Sequence, residues 1–136
     1  MGKFLTDLEV RQIEDTSEQG RGTWRLLAPL RYQADNGFVY EVPVGFVTDF
    51  ATVPRIPLIF DLDGDRGNLA GTLHDWLYTA PHPVASRAIA DSMLREALLA
   101  QGCPSWVAWT FYIGVRIGGA SHWQTNQPLP QGVKNG

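Results

Sequence analysis

The sequence contains a single cysteine, Cys103, in 136 residues, so no disulfide bond can form within the chain. This is typical of proteins that fold in a reducing compartment. The sequence also lacks a long apolar run, because the longest, residues 106–120, is interrupted by Arg116 and is shorter than the about 20 residues that a membrane helix needs. Residues 1–7 lack the apolar stretch of a signal peptide. We therefore expect synthesis in the cytoplasm and no membrane span.

A cluster of basic residues is missing as well. Fourteen Asp and Glu outnumber eleven Lys and Arg, which are scattered along the chain, and the formal net charge is −3. Proteins that bind nucleic acids usually carry a basic patch that neutralises phosphates. The composition therefore disfavours binding to DNA or RNA.

The sequence does contain enough apolar material for one core. Hydrophobic residues make up 44% and charged residues 18% of the chain, proportions that are typical of a globular protein. A length of 136 residues suits one domain. Residues 124–136 are mostly polar and contain two prolines. We predict one domain over residues 1–123, followed by a polar C-terminal arm.

The first half of the chain has the pattern of β-strands. Residues 23–32 and 38–42 are the better strand candidates, and an Asn36-Gly37 pair between them favours a tight hairpin turn. Residues 3–13 and 44–50 are weaker strand candidates. These segments predict antiparallel hairpins.

The second half has the spacing of helices. We predict helices over residues 68–78, 85–101 and 104–119, separated by prolines at 81 and 83 and by a glycine at 102. The third helix is apolar nearly all round, which predicts a central, buried position. The whole pattern predicts an α+β fold, in which N-terminal antiparallel β-hairpins form a small sheet that packs on a C-terminal three-helix bundle.

His74 and Asp75, in the segment LHDWLY over residues 73–78, are the best candidates for a functional site. Adjacent helical residues point about 100° apart, so His74 and Asp75 cannot hydrogen-bond to each other but can flank a shared metal ion or water. Tyr78 lies on the same face as His74, one turn later. Asp91 is as far beyond the proline turn as His74 is before it, so a helical hairpin places them opposite each other. We predict His74 as a general base that Asp91 orients and Tyr78 helps to fix.

Asp75 and Asp49 are the candidate ligands of a divalent metal, whose identity the sequence leaves open. Asp49 sits among apolar neighbours, and a buried carboxylate needs a partner, either Arg55 or the His–Asp site. Each feature also has a plain structural interpretation: His74 as a core residue satisfied by one acid, Asp75 as an exposed carboxylate, and Asp49 as a turn residue paired with Arg55. The acidic residues in 61–65 fit a solvated loop better than a calcium-binding loop.

Two motifs, in order along the chain, carry a resemblance to a known family. Residues 44–55, VGFVTDFATVPR, and 73–78, LHDWLY, followed by Arg87 and Asp91, resemble a family of small proteins of unknown function that is common in tailed bacteriophages and prophages. The resemblance implies a viral lineage and synthesis in the cytoplasm of a bacterial host. The resemblance leaves three points open. They are whether the protein is incorporated in the virion, whether other phage structural proteins are its partners, and whether it forms oligomers. It carries no established activity.

A second, local resemblance concerns chemistry. HDWLY, residues 74–78, is similar to the His-Asp-x-Cys-Tyr helix of secreted phospholipases A2, which implies a histidine base, an aspartate that binds calcium and a second aspartate that orients the histidine. These roles correspond here to His74, Asp75 and Asp91. Leu77 stands where that family has a half-cystine.

These observations leave three functions open. The first is a metal-assisted or water-activating hydrolase that acts on a cell-envelope component, either lipid or peptidoglycan. The second is a virion structural or assembly protein, associated with tail or capsid, without catalytic activity. The third is an inhibitor of a host defence protein. A helical phosphohydrolase of the His–Asp type is disfavoured, because its upstream histidine ligand is missing and His74 is the first histidine of the chain.

Overall fold

Two small antiparallel β-sheets precede three helices in the computed structural model, which describes residues 2–14, 23–48, 52 and 66–124. This order of elements confirms the predicted α+β class. Within the described residues, the strands are β1 (Lys3–Phe4), β2 (Val10–Glu14), β3 (Thr23–Leu26), β4 (Leu30–Gln33), β5 (Val39–Val42) and β6 (Val47–Thr48). The helices are α1 (Arg66–Leu77), α2 (Arg87–Ala100) and α3 (Ser105–Gly118), followed by a 3₁₀ helix over Ala120–His122.

The strands pair in the orders β1-β4-β5 and β2-β3-β6, with all neighbours antiparallel. The turn between β4 and β5 uses Gly37 at a φ of +88°, a conformation that favours glycine, so the turn predicted at Asn36-Gly37 is confirmed. The prediction of one strand over residues 23–32 is wrong, since β3 and β4 belong to different sheets. Pro29 lies between them and has no N–H to donate, which favours a break there.

Helix α2 packs against both α1 and α3. Ser86 caps its N-terminus, since the Ser86 side chain accepts a hydrogen bond from Ile89 N at 3.3 Å. Gly102, at a φ of +88°, follows the last turn and suits the end of a helix. Asp91 lies on the buried face of α2, where a carboxylate needs partners. Large apolar side chains from both sheets and all three helices form the core: Leu26, Leu30, Tyr32, Val42, Leu73, Leu77, Leu94, Leu98, Val107, Phe111 and Val115.

Helix α3 is buried on one face only, so the prediction of a central helix buried all round is wrong. Among the described elements, α3 packs mainly against α2, and one neighbour covers one face. The apolar composition of a helix does not reveal how many neighbours it has. Four large side chains on the opposite face are at least 45% exposed, and we call them the α3 stripe: Trp106, Trp109, Ile113 and Ile117.

None of the helices in the described part of the chain is long and apolar enough to cross a membrane. The single domain over residues 1–123 and the arm over residues 124–136 stay predictions. Of that arm, residues 125–136 lie outside the described residues.

Candidate functional site

Helices α1 and α2 bring His74 and Asp91 together, as their spacing about the proline turn led us to expect, and Tyr78, the residue after α1, joins them. His74 Nε2 lies 2.9 Å from Asp91 Oδ1, and the Tyr78 hydroxyl donates to the same oxygen at 2.5 Å. All three side chains are buried, and His74 and Asp91 are 0% exposed. The roles of base, orienting residue and fixing residue stay predictions.

Two arginines hold the other oxygen of Asp91. Arg116 Nη1 donates to Asp91 Oδ2 at 2.9 Å and Arg87 Nη1 donates at 3.4 Å. Burial by itself raises the pKa of this carboxyl, but hydrogen bonds from His74, Tyr78 and Arg116 outweigh burial and hold the pKa below its ordinary value. Asp91 is therefore a carboxylate, and the proton between it and His74 belongs to Nε2.

Neither arginine was predicted to belong to the site, although each has a signal in the sequence. Arg87 precedes Asp91 by one helical turn, the spacing of an ion pair on one helix face. Arg116 interrupts an apolar run, where a charge needs an acceptor. Arg87 also donates to Val115 O at 2.9 Å and to Arg116 O at 3.3 Å. It thus ties the C-terminal end of α3 to the site.

The object that His74 and Asp75 flank is a threonine hydroxyl. His74 Nδ1 lies 2.9 Å from Thr52 Oγ1, and the same hydroxyl forms a hydrogen bond with Asp75 Oδ1. Thr48 Oγ1 donates to Asp75 Oδ2, and Thr52 N donates to Oδ1 at 3.3 Å. Neither threonine was predicted to belong to the site. Their only signal was membership of the motif over residues 44–55.

A cavity of about 350 Å³ opens beside Thr52 and has the size of a small-molecule pocket. Thr52 and Asp75 line this cavity, whereas His74 is not one of its lining residues. Among the described residues that line the cavity, Thr52 is the one whose side chain forms a hydrogen bond with the His74 ring. The lining residues lie in or next to β6, at residue 52, at and just after the end of α1, and at and just after the end of the 3₁₀ helix: Phe46, Val47, Thr52, Asp75, Tyr78, Thr79, His122 and Gln124.

The segment after α3 forms one wall of the cavity and is held against α1. Gln124 N donates to Tyr78 O at 3.1 Å. The His82 ring stacks on Trp123, with centroids 3.5 Å apart and planes inclined by 6°. The two ring nitrogens of His82 lie 3.0 Å from Leu77 O and 2.5 Å from Gln124 O. His82 thus links the end of α1 to the cavity wall.

The predicted metal ligands do not form a described metal site. Asp49 lies outside the described residues, as do Arg55 and residues 61–65. Asp75 accepts hydrogen bonds from two hydroxyls, as given above. In the part of the chain that the structure describes, no group of three His, Cys, Asp or Glu side chains is placed to hold a metal ion. A metal at Asp75 and Asp49 stays a prediction.

The fold and the site define a small α+β protein in which a helical hairpin carries a buried His–Asp pair behind a cavity-lining threonine. A family model described as "Protein of unknown function (DUF1353)" matches residues 24–115. The chain belongs to this family, and the predicted resemblance to a family of unknown function is confirmed to that extent. The match spans the site from Thr48 to Asp91 and ends just before Arg116. No curated protein and no solved structure matches the chain.

Proposed function

We propose that the chain is an acyl hydrolase in which Thr52 is the nucleophile, His74 is the base, and Asp91 orients His74. One line of hydrogen bonds supports the proposal: Asp91 Oδ1 to His74 Nε2, and His74 Nδ1 to Thr52 Oγ1, each 2.9 Å long. A hydroxyl, an imidazole and a carboxylate in series is the arrangement that activates the weak nucleophile of serine hydrolases. Thr52 is at the cavity end of this series.

In the proposed first step, Thr52 Oγ1 attacks the carbonyl carbon of an ester or amide while its proton moves to His74 Nδ1. The bond to the leaving group breaks, the leaving group takes up the proton that His74 accepted, and the acyl group stays on Thr52 as an ester. Water then hydrolyses this ester, which releases a carboxylic acid and restores the hydroxyl. Asp91 keeps Nε2 of His74 protonated, so Nδ1 is the nitrogen that accepts the proton.

This mechanism differs from the one expected from the sequence, in which His74 activates a water directly. His74 is fully buried, and the Thr52 hydroxyl lies between Nδ1 and the cavity. Attack by the hydroxyl is therefore better supported than attack by a water bound to His74. The cavity-lining side chains of His122 and Gln124 carry N–H groups that can donate to a developing oxyanion.

As substrate we propose a cell-envelope component, either lipid or peptidoglycan, and as lineage the bacteriophages. The motifs over residues 44–55 and 73–78 support the lineage. The cavity presents apolar side chains, Phe46 and Val47, next to the carboxyl group of Asp75. Such a lining suits an acyl group on one side and N–H or O–H groups on the other.

The test uses the purified chain, 4-nitrophenyl acetate and peptide mass spectrometry. We expect an acetyl group on Thr52, at least about 100-fold slower hydrolysis in Thr52→Ala, and partial activity in Thr52→Ser. Thr110→Ala is the matched control, because Thr110 Oγ1 donates to Trp106 O at 2.7 Å on α3, away from the cavity lining. A Thr52→Ala protein as active as the unchanged chain would refute the proposal.

The α3 stripe favours a second candidate function, that of a virion structural or assembly protein. Its members follow one another at intervals of three or four residues, so they form one exposed apolar face. A contiguous apolar face is typical of a protein–protein contact. In this case the His74 network is structural, and the partners are other phage structural proteins or further copies of the chain.

Sedimentation velocity separates the two candidates. If assembly is the function, the unchanged chain associates, the double variant Ile113→Lys/Ile117→Lys does not, and Thr52→Ala associates normally. A chain that stays monomeric at high concentration and shows Thr52-dependent hydrolysis contradicts the assembly candidate.

A further inference from the structure

The α3 stripe combines tryptophan at its N-terminal end with isoleucine at its C-terminal end. Ile117 is its most exposed member, at 81%. The tryptophan ring is apolar and its N–H is polar, so this residue is enriched where proteins meet the boundary between lipid and water. A helix with tryptophan and aliphatic side chains on its exposed face is typical of a surface that lies among lipid headgroups.

The charges of the chain are unevenly distributed, and the acidic residues avoid the part that contains the stripe. All fourteen Asp and Glu lie in residues 1–96, whereas residues 97–136 contain two charged side chains, Arg116 and Lys134, both positive. A carboxylate on α3 would repel the anionic phosphates of a bilayer, and α3 has none. The charge of this segment therefore complements an anionic lipid surface.

A partly exposed cation, Arg95 of α2, lies beside the stripe. The guanidinium carbon of Arg95 is 4.1 Å from the centroid of the Trp109 ring, and Arg95 Nε has no hydrogen-bond partner among the described residues. The acidic side chains of α2 are engaged elsewhere, Asp91 with two arginines and Glu96 with the Tyr32 hydroxyl. The Arg95 guanidinium is thus placed to bind an anion next to apolar side chains, and a lipid phosphate is such an anion.

A second copy of the chain fits the stripe less well than lipid does. Aromatic and aliphatic side chains at these exposures present on the order of 500 Å² in total. Each partner in a stable protein–protein interface buries about 800 Å². The α3 helix of a second copy would also bring no carboxylate to Arg95. A bilayer supplies phosphates and acyl chains together, so it satisfies both the cation and the apolar face.

We infer that the α3 stripe docks on an anionic phospholipid bilayer, with its apolar side chains among the lipids and Arg95 against a phosphate. Docking is independent of the chemistry at Thr52. The further step, that the docked chain hydrolyses an ester of that lipid, rests on the proposed function. His122, which lines the cavity, is five positions after Ile117, so the end of the stripe lies within about 18 Å of the cavity wall. Docking therefore favours lipid over peptidoglycan as the substrate.

Co-sedimentation with sucrose-loaded vesicles tests the inference. The chain should bind vesicles made of equal parts phosphatidylglycerol and phosphatidylcholine, and it should bind vesicles of phosphatidylcholine alone more weakly. Ile113→Gln/Ile117→Gln should lower the partition coefficient at least about tenfold, because two apolar side chains no longer enter the bilayer. Glutamine keeps the helix propensity, so α3 should stay folded, which circular dichroism checks.

Leu27→Gln/Val44→Gln is the matched control for the stripe. Leu27 and Val44 are large apolar residues that are also more than half exposed, and they lie outside both α3 and the cavity lining. This variant should bind vesicles as the unchanged chain does. Equal losses in the two double variants would mean that any exposed apolar residue contributes to binding, and that result overturns the inference.

A second comparison tests the cation. Arg95→Gln should weaken binding to the anionic vesicles about fivefold, because one contact between a cation and the bilayer surface is lost. Its binding to phosphatidylcholine vesicles should change less. Arg11→Gln is the control, since it removes the same charge from an exposed residue of β2. Equal losses in the two variants contradict the role of Arg95.

The outcomes separate the inference from the proposed function. A chain that does not bind anionic vesicles, or that uses the stripe to associate with itself in their presence, overturns the inference. Thr52→Ala should bind vesicles as the unchanged chain does. Binding that depends on the stripe in a chain without ester hydrolysis overturns the proposed function and leaves the docking surface intact. Hydrolysis that depends on Thr52 in a chain that does not bind vesicles has the reverse meaning.

Discussion

The Tyr78 hydroxyl donates to Asp91 Oδ1 at 2.5 Å and accepts a hydrogen bond from Arg87 Nη1 at 3.3 Å. We predict that Tyr78→Phe lowers the free energy of unfolding by about 1–3 kcal/mol, because a buried carboxylate loses a donor. It should also slow hydrolysis, because Asp91 then orients His74 less firmly. Urea denaturation and the ester assay measure the two effects.

Tyr32→Phe is the control for this prediction. Tyr32 is also buried and also donates its hydroxyl hydrogen to a carboxylate, that of Glu96, but it lies outside the site. Tyr32→Phe should lower stability by a similar amount and leave hydrolysis unchanged. Equal losses of hydrolysis in the two variants would show that the effect is one of general stability.

The second prediction concerns Asp91 and pH. The pKa of Asp91 is lower in the folded chain than its ordinary value of 3.8, so at acid pH the unfolded chain binds this proton more readily. The stability that Asp91 contributes is therefore complete above pH 3.8 and is lost as the pH falls towards the folded pKa. Asp91→Asn removes the charge that His74 and two arginines face, and we expect a loss of about 3–5 kcal/mol near neutral pH.

Urea denaturation of both proteins over a series of pH values measures this contribution. The difference in free energy of unfolding between the unchanged chain and Asp91→Asn should shrink as the pH falls below 3.8. A difference that stays constant over this range contradicts the prediction.

The third prediction compares two neighbouring glycines. A Cβ atom added at Gly119 would lie 2.5 Å from the Tyr78 hydroxyl oxygen and 2.5 Å from Val115 O, whereas at Gly118 nothing lies within 4 Å. Gly119→Ala should lower the free energy of unfolding by about 1–3 kcal/mol and displace Tyr78 from Asp91. Gly118→Ala, at the last residue of α3, should be neutral or stabilising by about 0.5–1 kcal/mol. Equal stability of the two variants would contradict the predicted crowding at Tyr78.

The fourth prediction concerns the contact between His82 and Trp123. His82→Ala removes the stacked ring and both of its contacts with carbonyl oxygens, each worth about 0.5–1.5 kcal/mol. We expect faster amide hydrogen exchange at Gln124, whose N–H donates to Tyr78 O, and a higher KM because Gln124 lines the cavity. Ser121→Ala, at an exposed residue of the 3₁₀ helix that does not line the cavity, is the control. Unchanged exchange at Gln124 in His82→Ala would rule out this role for the ring.

The sequence predicted the parts of the structure that depend on local signals. The Asn36-Gly37 pair favours one turn type, and the prolines at 81 and 83 end one helix before the next begins. Equal distances from that turn were sufficient to predict the meeting of His74 with Asp91. These relationships are determined by periodicity and by the geometry of a hairpin.

The remaining parts depend on tertiary contacts that no local pattern contains. Thr48 ends β6, and its bond to Asp75 requires that a strand of the second sheet meets α1. Nothing in the sequence gives the angle or the distance of that meeting, so the threonine pair was missed. The exposed face of α3 was not predicted for the same reason, since the exposure of a helix face depends on which other elements pack against it.

The contact between Asp91 and Arg116 bears on where a working fragment of this protein can end. The family match stops at residue 115, one position before the arginine that lies 2.9 Å from Asp91. A fragment cut at the limits of the family match therefore loses the nearer of the two cations on Asp91 Oδ2, and it loses the cavity wall at Gln124 as well. A minimal fragment that keeps the site intact has to reach residue 124.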